Sequence, residues 1–221
     1  KDITMKKNLI ILVTAVALLG AFTFATIAQK AENRLEFQSA TDQNLSRMTR
    51  DHSPVAGNAD AKVTIVEFFD PACGTCRVFH PIVKNILRDN PGKVKLVVRY
   101  MPLHTGSDEV VKILESARIQ GKFWEALELA YATQNKWVRN HQAYPELFWK
   151  SIQPLGLDLQ QVSNDMKSME VSRAIWSDIE DGKSLGVDKT PGFFVNGKPL
   201  IKFGERPLLN LVNDALEREY G

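Results

Sequence analysis

Val63-Thr64-Ile65-Val66-Glu67-Phe68-Phe69-Asp70-Pro71-Ala72-Cys73-Gly74-Thr75-Cys76 is the stretch on which the reading of this chain turns. Its first seven residues are β-branched, apolar or aromatic at almost every position. That is too continuous for a strand with one wet face, so it reads as a central strand buried on both. Asp70-Pro71-Ala72 stops it. A helix is predicted from near Cys73 to about Asp89, with Val78, Phe79, Ile82, Val83 and Ile86 on its apolar side. The two cysteines thus stand where a strand hands over to a helix. Unpaired backbone N–H groups and the helix dipole favour a thiolate there, which lowers the pKa of the first thiol. Cys76 is expected one turn deeper and more buried, so that it attacks a mixed disulfide rather than beginning the exchange.

Working outward, Asn90-Pro91-Gly92 breaks the helix, and Val94-Lys95-Leu96-Val97-Val98-Arg99-Tyr100 forms a second strand ended by Pro102. Strand, helix and strand with short connections imply a right-handed βαβ unit and a parallel pair. Residues from about 107 to 186 are helical in pattern, with no convincing strand. Val110 to Arg118, Phe123 to Gln134, Pro145 to Ile152, Leu159 to Met169 and Val171 to Leu185 each show helical spacing. Asp158 is a predicted N-cap for the fourth of these and Gly186 a C-cap for the last. After Thr190-Pro191-Gly192 the chain returns to strand: Phe193-Phe194-Val195, a turn at Asn196-Gly197, then Lys198 to Phe203. Asn-Gly between two such runs is a strong hairpin signal, and Pro199 puts the second run at a sheet edge. Pro207 falls in the first turn of a final helix to Glu219. The order βαβ, helical block, ββα gives a mixed α/β sheet with helices on both faces.

The N-terminus reads differently. Met5-Lys6-Lys7-Asn8 precedes an apolar run from Leu9 to Ala28, broken only by Thr14, Gly20, Thr23 and Thr26. A basic start followed by such a run is an export signal. Two fates fit: cleavage after Ala28, or retention of residues 9–28 as a membrane anchor of about 20 residues. Lys1 to Thr4 are expected to be an extension upstream of a start at Met5. Residues 29–60 are polar and irregular, with turns at Asp51-His52-Ser53-Pro54 and Gly57-Asn58-Ala59-Asp60. The domain proper is expected over 61–221.

The whole chain carries 28 basic and 26 acidic residues. Removing Lys1, Lys6, Lys7 and Asp2 with residues 1–28 leaves 25 of each sign, so nothing in the folded part calls for nucleic acid or an anionic membrane. The chain has only two cysteines, so no disulfide framework holds it. A zinc site needs two more ligands than the Cys pair supplies. The histidines His52, His80, His104 and His141 show no ligating spacing. An exported copper-binding protein using the Cys pair is the alternative from another class. Trp124, Trp137, Trp149 and Trp176 are expected in the core.

At this point the sequence resembles a known family. Glu67-Phe68-Phe69-Asp70-Pro71-Ala72-Cys73-Gly74-Thr75-Cys76 and Lys189-Thr190-Pro191-Gly192-Phe193-Phe194-Val195-Asn196-Gly197 are similar to the two signatures of DsbA-type thioredoxin-fold proteins. The resemblance covers about residues 53–221 and implies a thioredoxin-like fold with an inserted all-helical subdomain. It implies an exported protein disulfide oxidoreductase with Cys73 as nucleophile and Cys76 as resolving thiol. Pro191 would be the cis-proline against the disulfide, and Thr190 would offer hydrogen bonds to an extended substrate. Gly74 and Thr75 would complete the substrate-facing surface. Glu67 would be the buried acid that accepts the Cys76 proton, with Lys95 on the adjacent strand as its most plausible counter-ion. His80, one turn after Cys76, is expected on the helix surface, with an influence on the thiols as the alternative. The resemblance implies no cofactor and no metal. Its partners would be cysteine-containing proteins and a DsbB-like or DsbD-like membrane redox partner, in the periplasm or at the outer face of the inner membrane.

One departure bears on direction. Oxidases of this family commonly carry Pro-His between the cysteines, and here the pair is Gly74-Thr75. Threonine supplies no positive charge, so Cys73 should be less acidic than in the strongest oxidases. Gly after the first Cys and Thr before the cis-proline also resemble disulfide isomerases. Oxidase is the favoured direction, isomerase or reductase the alternative. An isomerase needs an oligomerising segment, for which residues 31–50, with Leu35, Phe37, Leu45 and Met48, are a candidate.

Overall fold

The structure is a computed structural model that describes Gln29 and residues 44–221. The export signal or anchor read over residues 1–28, and Leu35 and Phe37, lie outside the described residues. Among the described residues no helix is long and apolar enough to cross a membrane. One compact unit covers Ser46–Gly221.

At its centre is a five-stranded sheet. Strand β1 (Val55–Gly57) is followed by β2 (Val63–Phe69), helix α1 (Gly74–Asp89) and β3 (Val94–Tyr100). A helical block follows: α2 (Ser107–Ile119), α3 (Phe123–Ala132), α4 (Gln134–Trp137), α5 (Pro145–Ile152), α6 (Leu159–Asp165) and α7 (Met169–Ser184). Strands β6 (Gly192–Val195) and β7 (Lys198–Pro199) and helix α8 (Glu205–Tyr220) close the chain. The strand order is β1-β3-β2-β6-β7. Only β2 and β3 run parallel, as the βαβ reading requires; β1, β6 and β7 are antiparallel to their neighbours.

The central position of β2 follows from its composition. Val63, Ile65 and Phe69 pack on one face with α1 and the helical block, while Val66 and Phe68 pack on the other with Val97, Met101, Val187 and Phe194. The hairpin forms as expected, with Asn196 at φ 44 and Gly197 at φ 82. The Asn196 side chain accepts from Thr64 N at 2.7 Å and donates to Lys62 O, which pins the turn to the start of β2. The second strand of the hairpin is shorter than expected. It ends at Pro199, which has no N–H to continue a ladder, and Ile201 beyond it is 91% exposed.

Several expectations need correction. Residues 29–60 were expected to be irregular, yet Val55–Gly57 pairs with β3, so the folded unit starts before residue 61. A three-residue strand of Val, Ala and Gly leaves no alternation to read. The helical block contains a small hairpin, β4 (Val138–Arg139) with β5 (Gln142–Ala143), turned by Asn140 and His141 at positive φ. The helix predicted from Phe123 to Gln134 breaks after Ala132, where the Thr133 hydroxyl donates to Leu129 O. The helix predicted from Leu159 to Met169 stops at Asp165, because Ser168 accepts from Val171 N and starts α7. Asp158 caps α6 through Gln161 N, and Gly186 takes φ 77 just past α7. Met48 is in the core beside Val66 and Phe68, so it is not part of an exposed oligomerising stripe. Trp137 is fully buried, whereas Trp176 is 69% exposed on α7 and contributes little to the core.

Candidate active site

The β2–α1 junction makes Cys73 the N-cap of α1. An extended backbone there, φ −71 and ψ 120, turns its Sγ back over the first helical turn, where it accepts from Cys76 N at 3.5 Å. Across the site, Cys73 Sγ lies 3.3 Å from the carbonyl oxygen of Thr190, within reach of a thiol donor. The Thr190–Pro191 peptide bond is cis. Pro191 is buried, Thr190 half-buried, and Gly74 and Thr75 are exposed. A Cβ added at Gly74 would meet nothing within 4 Å, so this glycine answers no packing demand.

The two thiols differ sharply. Cys73 keeps 6% of its surface and Cys76 none, so only the first can meet a second protein. The hydrogen bond from Cys76 lowers the Cys73 pKa most; desolvation opposes it, and the Cys76 and Thr75 backbone and the Thr190 side chain add to the lowering. The result is about 5. Burial pushes the Cys76 thiol well above its ordinary value, and the bond to Cys73 and the charge of Glu67 act in the same direction. A pair with one stabilised thiolate and one retained proton is what ordered disulfide exchange needs.

Glu67 lies on the β2 face that α1 covers, since it shares strand parity with Ile65 and Phe69. It is 3% exposed, and its Oε1 has no hydrogen-bond partner. Burial first, and then the Cys73 charge, raise its pKa to about 8. The expected counter-ion is absent from this face. Lys95 pairs in register with Thr64, three residues from Glu67, so its side chain leaves the opposite side of the sheet. Its Nζ donates to Ala59 O at 2.6 Å. His80 also departs from expectation: it is buried rather than on the surface, its ring tilted 47° against that of Tyr131 with centroids 4.9 Å apart.

Two supports of the site escaped sequence reasoning. Asp70, fully buried, accepts from Ala72 N at 2.8 Å, Leu103 N at 2.7 Å and His104 N at 2.9 Å. It also binds His104 Nδ1 at 2.7 Å and the Ser107 hydroxyl. One carboxylate thereby ties the cysteine loop to the loop after β3. Gln134 does the same from the helical block, donating to Pro71 O at 2.8 Å and Cys73 O at 3.0 Å. In sequence, Asp70 is indistinguishable from a turn residue before proline, and Gln134 carries no local signal. Among the described residues no three or more His, Cys, Asp and Glu side chains gather as a metal site.

The profile of the thioredoxin family matches residues 49–206. The chain belongs to the thioredoxin family. A thioredoxin-like oxidoreductase from Silicibacter pomeroyi DSS-3 is 30% identical, with a TM-score of 0.67 over 78% of this chain and 95% of that one. The thiol-disulfide exchange protein alpha-DsbA2 from Wolbachia pipientis shares the fold at 20% identity, with a TM-score of 0.67 over 80% and 94% of the two chains. This thioredoxin-family chain therefore shares the thioredoxin-like fold of both solved proteins. The Na(+)/H(+) antiporter NhaA 3 of Salinispora tropica is 32% identical over 152 residues, which are 67% of this chain but 22% of the antiporter. The thioredoxin-family chain thus spans about a fifth of that relative's length.

Proposed function

We propose that this protein is an exported dithiol oxidase that introduces disulfides into cysteine-containing proteins outside the cytoplasm. The observation that carries this reading is the asymmetry of its thiols. Cys73 caps α1, accepts from Cys76 N and has its pKa lowered to about 5, while Cys76 is fully buried and pushed far above its ordinary value. A stabilised thiolate stabilises the reduced enzyme, and an enzyme stable when reduced is an oxidant. The export reading rests on the basic residues Lys6 and Lys7 and the apolar run that follows them.

In the forward reaction a substrate thiolate attacks Cys73 Sγ of the Cys73–Cys76 disulfide. The enzyme S–S bond breaks and Cys76 leaves, taking a proton that Glu67 holds beneath it. A second substrate thiolate attacks the substrate sulfur of the mixed disulfide, closing the substrate disulfide and releasing Cys73 as thiolate. The enzyme gains two electrons, and a membrane redox partner of DsbB type removes them. Thr190, Pro191, Gly74 and Thr75 form the surface on which an extended substrate segment lies, with Thr190 offering backbone hydrogen bonds.

Equilibration of the full chain with glutathione buffers tests the direction. Thiols at about 3.5 and 7 accompany potentials near −120 and −270 mV in this fold. A Cys73 pKa of about 5 therefore predicts a value between about −200 and −120 mV. A potential below about −230 mV would make the protein a reductase. Reshuffling of a scrambled substrate faster than oxidation of a reduced one would make it an isomerase.

A further inference from the structure

The exchange reaction moves protons at a place with no direct access to water. Cys76 is fully buried, Glu67 nearly so, and the Cys76 proton must reach solvent each time the enzyme is re-oxidised. Cys76 and His80 are four residues apart on α1, so their side chains share a face, with Cβ atoms about 5–6 Å apart. Tyr131, whose ring meets that of His80 at a tilt of 47°, has its pKa raised by burial first and then by electrostatic interaction with Cys76 and Glu67, which puts it within electrostatic reach of both. On the outer side, His80 Nε2 lies 3.0 Å from Glu128 Oε1 but off line for a hydrogen bond. Glu128 is half exposed and also binds Lys84. His80, Tyr131, Glu128, Lys84 and Arg77 line an open cavity of about 340 Å³. The charged and titratable groups around the ring are thus Cys76, Arg77 and Lys84 on α1 and Glu128 and Tyr131 on α3, with Glu67 of β2 reached through Tyr131. His80 Nε2 is itself buried and faces the half-exposed Glu128 carboxylate beside an open cavity, so the ring stands between the interior and a group that water reaches.

We propose that His80 is the relay through which protons pass between the buried Cys76–Glu67 pair and solvent. An imidazole can accept a proton on one ring nitrogen and release one from the other. During substrate oxidation Cys76 leaves as thiolate and takes the Glu67 proton, and protonated His80 returns one to the carboxylate. During re-oxidation His80 first takes the Glu67 proton out to Glu128 and water, and the carboxylate so freed accepts the Cys76 proton. No electron passes through His80. The inference rests on the reading above in which Cys76 and Glu67 share a proton.

The test is single-turnover oxidation of a dithiol peptide by the full chain, and re-oxidation by glutathione disulfide, across the neutral pH range. His80→Gln should slow the Cys76-dependent step about tenfold, less than the 100-fold or more supplied by a group acting directly on the reacting atoms. The reduction potential and the thermal unfolding midpoint should not change, because a relay alters rates and not equilibria. In His80→Ala, added imidazole should enter the cavity and restore the rate in proportion to its concentration. Wild-type rates in His80→Gln, a loss of rate accompanied by a shifted potential, or no imidazole rescue in folded His80→Ala would overturn the relay. Glu67→Gln, measured alongside, separates the two readings. If it is slow while His80→Gln is fast, only the relay fails; if it exchanges at the wild-type rate, the role given to Glu67 fails.

Discussion

The two faces of the same pair of strands bury charge in opposite ways. On the face covered by α1, β2 carries Glu67, whose Oε1 has no partner and whose pKa is pushed up to about 8. On the other face, β3 carries Arg99, fully buried and fully engaged. Its Nε donates to Asp178 Oδ1 and its Nη2 to Asp181 Oδ2, both at 2.7 Å, and its Nη1 binds Arg47 O. Asp178 also accepts from Tyr100 N at 2.8 Å and meets His52 Nε2 at 2.7 Å. Asp181 is further held by Arg50 through contacts of 2.8 and 2.7 Å. Desolvation works against the Asp181 carboxylate, yet hydrogen bonds from Arg50 and then Arg99 keep it below its ordinary pKa. A buried charge with every partner supplied fixes structure, here by clamping residues 47–52 and α7 to the sheet. A buried acid with no partner costs stability instead of adding to it, and that cost is what marks Glu67 as a candidate functional group.

The comparison breaks most visibly at Arg99. Arg99→Met keeps bulk and removes the charge, leaving Asp178 and Asp181 in the interior with their remaining partners. Breaking a buried ion pair from one side costs about 3–5 kcal/mol, which denaturant unfolding would report. The reduction potential should stay at the wild-type value, since no member of this cluster touches the thiols. Near-wild-type stability would mean that the paired face is not the structural one.

Glu67→Gln should act with the opposite sign. An acid whose pKa rises from 4.5 unfolded to about 8 folded destabilises the fold as pH climbs between those values. Near pH 7 that amounts to about 3 kcal/mol, an upper figure, which glutamine would recover. The measurement belongs in the disulfide form. In the dithiol form the depressed Cys73 pKa contributes in the other direction: stability present above about 9 and lost as pH falls toward 5. In the oxidised protein Cys73 carries no charge and burial alone raises Glu67, so the wild type should lose stability as pH climbs above about 4.5 and Glu67→Gln should not. Parallel pH profiles would show that Glu67 is not the unpaired charge it looks to be.

The contrast also explains what could be read from the sequence. β2, α1, β3 and the Asn196-Gly197 hairpin are written in local pattern: a continuous apolar strand, a helical period after a strand stop, a turn dipeptide with positive φ. Cys73, Cys76 and Glu67 stand inside those patterns, so the elements place them. Arg99 sits in an equally apolar strand as conspicuously as Glu67, but its partners lie 79 and 82 residues away on α7. Asp70 and Gln134 are invisible for the same reason, because their hydrogen bonds join loops far apart in the chain. Lys95 illustrates the converse error. Sequence adjacency of the strands suggested a pair, and strand parity, which depends on register, put the two side chains on different faces.

The smallest expected effect lies at the rim of the paired cluster. His52 is the most exposed partner of Asp178, with 19% of its side chain accessible. Its removal leaves Asp178 with the Arg99 guanidinium and the Tyr100 N–H, so no buried carboxylate is stranded. His52→Ala should therefore cost about 1 kcal/mol, the net worth of one hydrogen bond, against several for Arg99→Met. If the clamp is cooperative, the Arg99→Met/His52→Ala double variant will lose less than the sum of the single variants, because Asp178 is by then already without its main partner. A loss at His52 as large as that at Arg99 would mean that attachment of the 47–52 segment, rather than satisfaction of Asp178, is what the network holds. Stability would then be set at the rim of the second face and not at its centre.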